Sequence, residues 1–150
     1  MAVPVVAETA PQSAMRAFNS LCFKAGQTEA QIRNRMETQA GTPLPFDLTF
    51  WDTSLEPAPS APKAIERRCE VTFDGDHTET AITVLRTQMA TPPVFGTVID
   101  LPDTHRAEIG TALIEGRALL RGRVAVVHVG IRNTRTFMSV DRLPAGWEVH

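Results

Sequence analysis

The sequence lacks the residue patterns that usually mark a catalytic or cofactor-binding protein. It has no G-x-x-x-x-G-K-[ST], G-x-G-x-x-G, H-E-x-x-H or G-x-S-x-G segment, which excludes the common phosphate, dinucleotide, zinc-protease and hydrolase motifs. Tyrosine is missing altogether, which removes one general acid and one stacking group. There is no C-x-x-C pair, and Cys22 and Cys69 are too far apart in sequence for a zinc or redox motif. We therefore predict no catalytic residues, no metal ligands and no cofactor.

Long apolar runs are also missing. None approaches the roughly 18 residues that a bilayer-spanning helix needs, so no membrane-spanning segment is predicted. The opening "MAVPVVAETAPQ" has no basic region and too short an apolar core for an intact signal peptide. It is typical of the start of a mature exported chain, although the ragged N-terminus of a cytosolic protein has the same pattern. Residues 1–10 are predicted to be a flexible lead-in and residues 11–150 a single α+β domain.

The charge of the chain is close to balanced, at −2, which argues against a basic nucleic-acid binder. Arginines outnumber carboxylates between residues 106 and 142, but they are scattered. Such scattering is typical of solvated faces, and the alternative is an anion-binding surface. Strand alternation places Arg123 and Arg132 on opposite faces of one strand, so nucleic-acid binding is not expected.

Apolar spacing predicts two short helices at the start of the chain. Residues 11–25 repeat with a helical period and place Phe18 and Cys22 one turn apart on the buried face, with Gly26 as the stop. A second helix is predicted to begin at Thr28 with a capping box and to end at Gly41. A short strand then precedes a proline-rich loop over residues 53–63.

The rest of the chain predicts one more helix within a series of strands. Residues 65–73 alternate with Cys69 on the core side, and Asp76 is placed to cap the helix that follows. "GTVID", "RVAVVHVGIR" and "TFMSVDRL" are predicted strands, and residues 107–120 fit a strand better than a helix because of their glycines. The order is ααβ(loop)βα followed by a β-meander. This predicts an α+β fold with helices packed on one face of a mainly antiparallel sheet.

Three side chains are candidates for a binding site. His128 interrupts an apolar strand and shares a strand face with Arg132, and Gly130 between them leaves room for another group to approach. His105 lies in a "PDTH" loop with Asp103 two residues before it, a pair that can orient an imidazole. The functional interpretation is a pocket for a small anionic ligand. The other interpretation is the one we favour: His128 is predicted to be largely buried and structural, with its hydrogen bonds satisfied.

Part of the sequence resembles a loose group of small, exported bacterial proteins of uncharacterised function. The likeness covers roughly residues 12–90 and is carried by a Phe-x-x-x-Cys helix (Phe18, Cys22), a Trp-containing segment (Trp51), a proline-rich loop and "RRCEVTF" with Cys69. The resemblance implies a periplasmic or secreted setting. It implies no activity and no catalytic residues.

The two cysteines are predicted to form a disulfide. Cys22 and Cys69 are the only cysteines, and both fall on the predicted core face of their element. When an exported chain has two cysteines, they usually form a disulfide with each other. The alternative is two buried free thiols in a cytoplasmic protein.

Two functional hypotheses of different classes follow. The first is a non-enzymatic exported module that binds a protein or small molecule at the cell envelope, favoured by the lack of a convergent catalytic set. The second is a small enzyme or anion-binding domain that uses His128, Arg132 and the His105 loop. A pocket lined by both histidines with a carboxylate in reach favours the second hypothesis, and a closed core around His128 favours the first.

Overall fold

The computed structural model describes residues 8–147, which form three α-helices and one six-stranded antiparallel sheet. The sheet order is β1-β2-β6-β5-β4-β3. The helices are α1 (Ala10–Ala17), α2 (Glu29–Ala40) and α3 (Thr78–Ala90). The strands are β1 (Asp47–Asp52), β2 (Arg67–Asp74), β3 (Thr97–Ile99), β4 (Thr111–Ala118), β5 (Val124–Arg132) and β6 (Arg135–Arg142).

The helices pack on one face of this sheet, which confirms the predicted α+β class. α1 contacts β2, α2 contacts β1 and α3 contacts β5. The last four strands follow one another across the sheet, as a β-meander does, and β6 closes against β2. The main core combines the apolar stripes of the helices with alternate residues of the strands, such as Cys69, Val71 and Phe73 of β2. None of the helices in residues 8–147 is long and apolar enough to cross a membrane.

The first helix differs from its prediction over residues 11–25. It begins at Ala10, after a capping box between Thr9 and Gln12, and changes to a π-helical turn over Phe18–Cys22. It ends before Gly26, and the Gln27 amide donates to the carbonyl of Leu21 in the last turn and to that of Lys24 just beyond it. The start of this helix falls inside the predicted lead-in of residues 1–10, of which residues 1–7 lie outside the described part.

The predicted boundaries of the other helices hold with one correction. α2 has the expected capping box, in which Thr28 and Gln31 exchange hydrogen bonds. α3 has His77, not Asp76, at its N-cap position. The Asp76 carboxylate still accepts the main-chain N–H of Thr78 at 3.2 Å, so the side chain caps from one residue further out.

The strand predictions are confirmed where the pattern was strongest. β5, apolar on both faces, is an internal strand between β6 and β4. Residues 111–118 form β4, which settles the strand or helix question for 107–120 in favour of a strand. The start of β4 is irregular: a β-bulge lies between Thr111 and Leu113, and Ile109, just before the strand, is fully exposed.

The predicted disulfide between Cys22 and Cys69 is present. Their Cα atoms are 5.4 Å apart, within the usual range for a bridge, and both residues are fully buried. The bond ties the π-helical turn to the middle of β2.

Candidate functional site

The sheet face opposite the helices carries a group of charged and aromatic side chains, which we call the polar face. Because side chains alternate along a strand, the same β2, β5 and β6 strands that feed the core also present this second set. In register across the sheet, Thr49, Glu70, Ser139 and His128 stand side by side. The polar face comprises Trp51, Arg68, Glu70, His128, Arg132, Phe137, Ser139 and Asp141.

One arginine of this face is held between a ring and a carboxylate. Arg68 donates two hydrogen bonds of 2.8 Å to Asp141, and its guanidinium lies 5.1 Å from the ring centre of Trp51. Burial alone would raise the pKa of Asp141, but the hydrogen bonds from Arg68 and His105 bring that pKa below its usual value. The carboxylate is therefore ionised at neutral pH and the arginine is fixed in place.

A second arginine repeats the arrangement. The Arg132 guanidinium lies 3.7 Å from the ring centre of Phe137 and donates to Glu70 Oε2 at 3.2 Å. Its side chain is 47% exposed, whereas that of Glu70 is only 7% exposed. The other Glu70 oxygen, Oε1, is buried and accepts no hydrogen bond from residues 8–147.

The loop of residues 100–108 crosses the polar face and brings His105 onto it. His105 Nε2 lies 2.8 Å from Asp141 Oδ2, and its Nδ1 lies 2.8 Å from the Thr104 hydroxyl. Because the ionised carboxylate can only accept, Nε2 carries the hydrogen of the first contact. The carboxylate that orients His105 is thus Asp141, not the exposed Asp103 that sequence spacing suggested.

His128 lies near the middle of the same face and is half-buried rather than largely buried. Its Nε2 lies 2.9 Å from the Thr111 hydroxyl, and its ring meets Phe137 edge-on at 4.8 Å between centres. Burial, and then the positive charge of Arg132, lowers the pKa of His128 to about 4, so the ring is neutral at neutral pH.

The space predicted beside Gly130 is present, and it is occupied by the Gly110 carbonyl and the Phe137 ring. A Cβ at Gly130 would lie 2.6 Å from the carbonyl oxygen of Gly110 and 2.9 Å from the Phe137 ring. The missing side chain therefore lets the Phe137 ring lie across β5, where Arg132 stacks on it.

The structure places His105, His128 and Arg132 on one face, as the binding hypothesis required. Each of these three side chains also makes a hydrogen bond within the protein: His105 to Asp141, His128 to Thr111 and Arg132 to Glu70. Sequence reasoning missed Arg68, Glu70 and Asp141, the charged groups that organise this face. The signal for two of them was present, since Arg68 and Glu70 fall on the outward side of the alternation predicted for residues 65–73.

Within residues 8–147, no group of three histidine, cysteine or acidic side chains is arranged to hold a metal ion. The described chain is thus an α+β protein with a disulfide-linked helix and a polar sheet face. No family model, curated protein or solved structure matches the chain. The resemblance to small exported proteins accordingly stays an expectation.

Proposed function

We propose that the protein is an exported, disulfide-stabilised module without a catalytic role, which binds a partner protein or small molecule at the cell envelope through its polar face. The observation that carries the proposal is the pair of ring–guanidinium–carboxylate groups on that face, Trp51–Arg68–Asp141 and Phe137–Arg132–Glu70. Aromatic and arginine side chains are the residues that binding surfaces favour.

The disulfide supports the exported setting. Bridges persist in oxidising compartments and are rare in the cytosol. Cys22 and Cys69 are fully buried in the main core, so the bond belongs to the folded architecture and not to an exposed redox site. A fusion of the complete gene to alkaline phosphatase, which is active only after export, is expected to be active. An inactive fusion together with an active cytosolic reporter overturns the exported setting.

The binding role is tested by magnetic resonance of isotope-labelled protein. Phosphate, acetate, methylguanidinium and glucose are added separately, and backbone amide shifts are followed. We expect at least one probe to shift amides of the polar face, and the variant Trp51→Ala to weaken that effect. Arg33→Ala, which removes an exposed arginine paired with Glu29 on α2, is the matched control and should change nothing. Shifts confined to the helical side, or none with any probe, contradict the proposal.

A small enzyme is the second candidate, favoured by the chain of contacts Thr104–His105–Asp141. The imidazole lies 2.8 Å from the hydroxyl through Nδ1 and 2.8 Å from the carboxylate through Nε2. Acid–base catalysis uses this arrangement of hydroxyl, imidazole and carboxylate. Release of nitrophenol from nitrophenyl acetate, lost in both His105→Ala and Thr104→Val, would support this candidate. An equal rate in wild type and both variants would remove it.

A further inference from the structure

We infer that Glu70 and Phe137 form a recognition site for the guanidinium group of a partner's arginine, and that Arg132 occupies this site as an internal competitor. The inference rests on the proposed function, because it names the ligand chemistry of the same face.

The aromatic wall of the site is held rigidly in place. Phe137 is only 2% exposed, its edge meets the His128 ring, and the missing side chain of Gly130 leaves room for it. Arg132 stacks on this ring at 3.7 Å, which is the close approach of a cation to an aromatic face. When Arg132 moves away, the ring face it covers becomes available to another cation.

The carboxylate of the site has an unused acceptor. Glu70 Oε2 accepts one hydrogen bond from Arg132, while the buried Oε1 accepts none from residues 8–147. A buried carboxylate oxygen without a donor is unfavourable, and a planar guanidinium can satisfy both oxygens of a carboxylate at once. Arg132 reaches only one of them, so a better-placed guanidinium would make a contact that the free protein lacks.

Arg132 is placed to exchange with an incoming guanidinium, whereas Arg68 is not. Arg132 is the last residue of β5, is 47% exposed and holds Glu70 by a single hydrogen bond of 3.2 Å. The Glu70 carboxylate is only 7% exposed and needs a cation beside it, and an incoming guanidinium would supply that charge as Arg132 leaves. Arg68 is 24% exposed and holds Asp141 by two hydrogen bonds of 2.8 Å. The exchangeable position is therefore the one beside Phe137 and Glu70.

The Phe137 ring and the Glu70 carboxylate together determine which kind of ligand fits the site. An anion at this position would face the Glu70 carboxylate, which repels it. An ammonium ion would meet the charge requirement but lacks the flat surface and the paired donors that suit a ring beside a carboxylate. An arginine side chain of a partner protein or peptide meets all three requirements.

The experiment removes the internal competitor. Labelled Arg132→Ala protein is titrated with N-acetylarginine amide, and with N-acetylcitrulline amide, which has the same shape without the charge. We expect the arginine compound to shift the amides of Glu70, Gly130 and Phe137, and the citrulline compound to leave them unchanged. Wild type should bind the arginine compound more weakly than Arg132→Ala, because its own side chain competes.

A second substitution tests the carboxylate. Adding Glu70→Gln to Arg132→Ala should weaken binding about tenfold, the loss expected for one charged hydrogen-bonding partner. If this double variant does not fold, Phe137→Leu in the Arg132→Ala background should show a comparable weakening. Equal shifts with the arginine and citrulline compounds, or affinity unchanged by these substitutions, overturn the inference. If phosphate or glucose shifts the polar face of wild type while the arginine compound does not, the inference fails and the proposed function stands.

Discussion

Arg67 donates a hydrogen bond of 2.7 Å to the main-chain carbonyl of Cys22, whose side chain is joined to Cys69 two positions further along β2. A second hydrogen bond, of 2.6 Å, reaches the carbonyl of Lys24. One strand thus holds the end of the first helix by a covalent bond and by a buried guanidinium. Burial, and then the nearby charge of Arg142, lowers the pKa of Arg67 to about 10, while Asp52 opposes the shift.

Replacing Arg67 by alanine should therefore destabilise the fold strongly. The change leaves the Cys22 carbonyl without its side-chain donor and takes one of two donors from the Lys24 carbonyl, which keeps the Gln27 amide. It also removes a cation that neighbours the buried carboxylate of Asp52. We expect a loss of about 3 kcal/mol or more in the free energy of unfolding, measured with urea. Arg33→Ala, at an exposed arginine, should stay within about 0.5 kcal/mol of wild type. A similar small effect for both variants would show that Arg67 does not hold the helix.

The disulfide should also contribute a large part of the stability. Denatured, unreduced protein should show no free thiol on titration, since both cysteines are bridged. Joining residues this far apart in sequence stabilises a fold by roughly 4 kcal/mol in the chain-entropy model. Cys22→Ser with Cys69→Ser should accordingly melt well below wild type. Two free thiols per chain in the denatured, unreduced protein would contradict the bridge and weaken the case for export.

Protonation of His128 should oppose folding. The folded pKa of His128 is lowered to about 4 by burial and by Arg132, from an ordinary value near 6.5. The resulting stabilisation is fully present above about pH 6.5 and is lost as the pH falls towards 4, because the unfolded chain binds the proton first. Wild type should thus lose more unfolding free energy between pH 7 and pH 4.5 than His128→Gln does.

The half-exposed position of His128 limits the size of this effect, because water screens the charge. The charged or titratable groups that influence it are Arg132, Glu108, Asp141 and His105. These groups are common to both proteins, so their own titration largely cancels in the comparison. An identical pH dependence in wild type and variant would show that His128 is not responsible.

The proline-rich loop should be the first internal site of proteolysis. Residues 53–63 are mostly exposed, and Lys63 offers trypsin a cleavage point there. The first part of the loop is anchored, since Ser54 donates to Asp52 and the Thr53 N–H to the Glu66 carbonyl. We expect early cleavage at Lys63. First cleavage at Arg106 or Arg121 would show instead that the loop over the polar face or the β4–β5 turn opens more readily.

The sequence by itself determined the kind and order of the elements. The capping box at Thr28, the alternation over residues 65–73 and the two-sided apolar run of β5 depend only on neighbours along the chain, so their spacing predicts helix or strand directly. The sequence also left Cys69 as the one partner for Cys22 within the chain, whereas the existence of the bridge was decided by the structure.

Only the tertiary structure decided which side chains meet on the polar face. His105 contacts Asp141 across 36 residues, and Arg132 contacts Glu70 across 62. These contacts depend on β6 inserting between β2 and β5 and on the register of that pairing, which no local pattern encodes. The π-helical end of the first helix has the same origin, since distant side chains and the disulfide hold it there. Local spacing determines an element, whereas the free energy of packing the whole chain selects its neighbours.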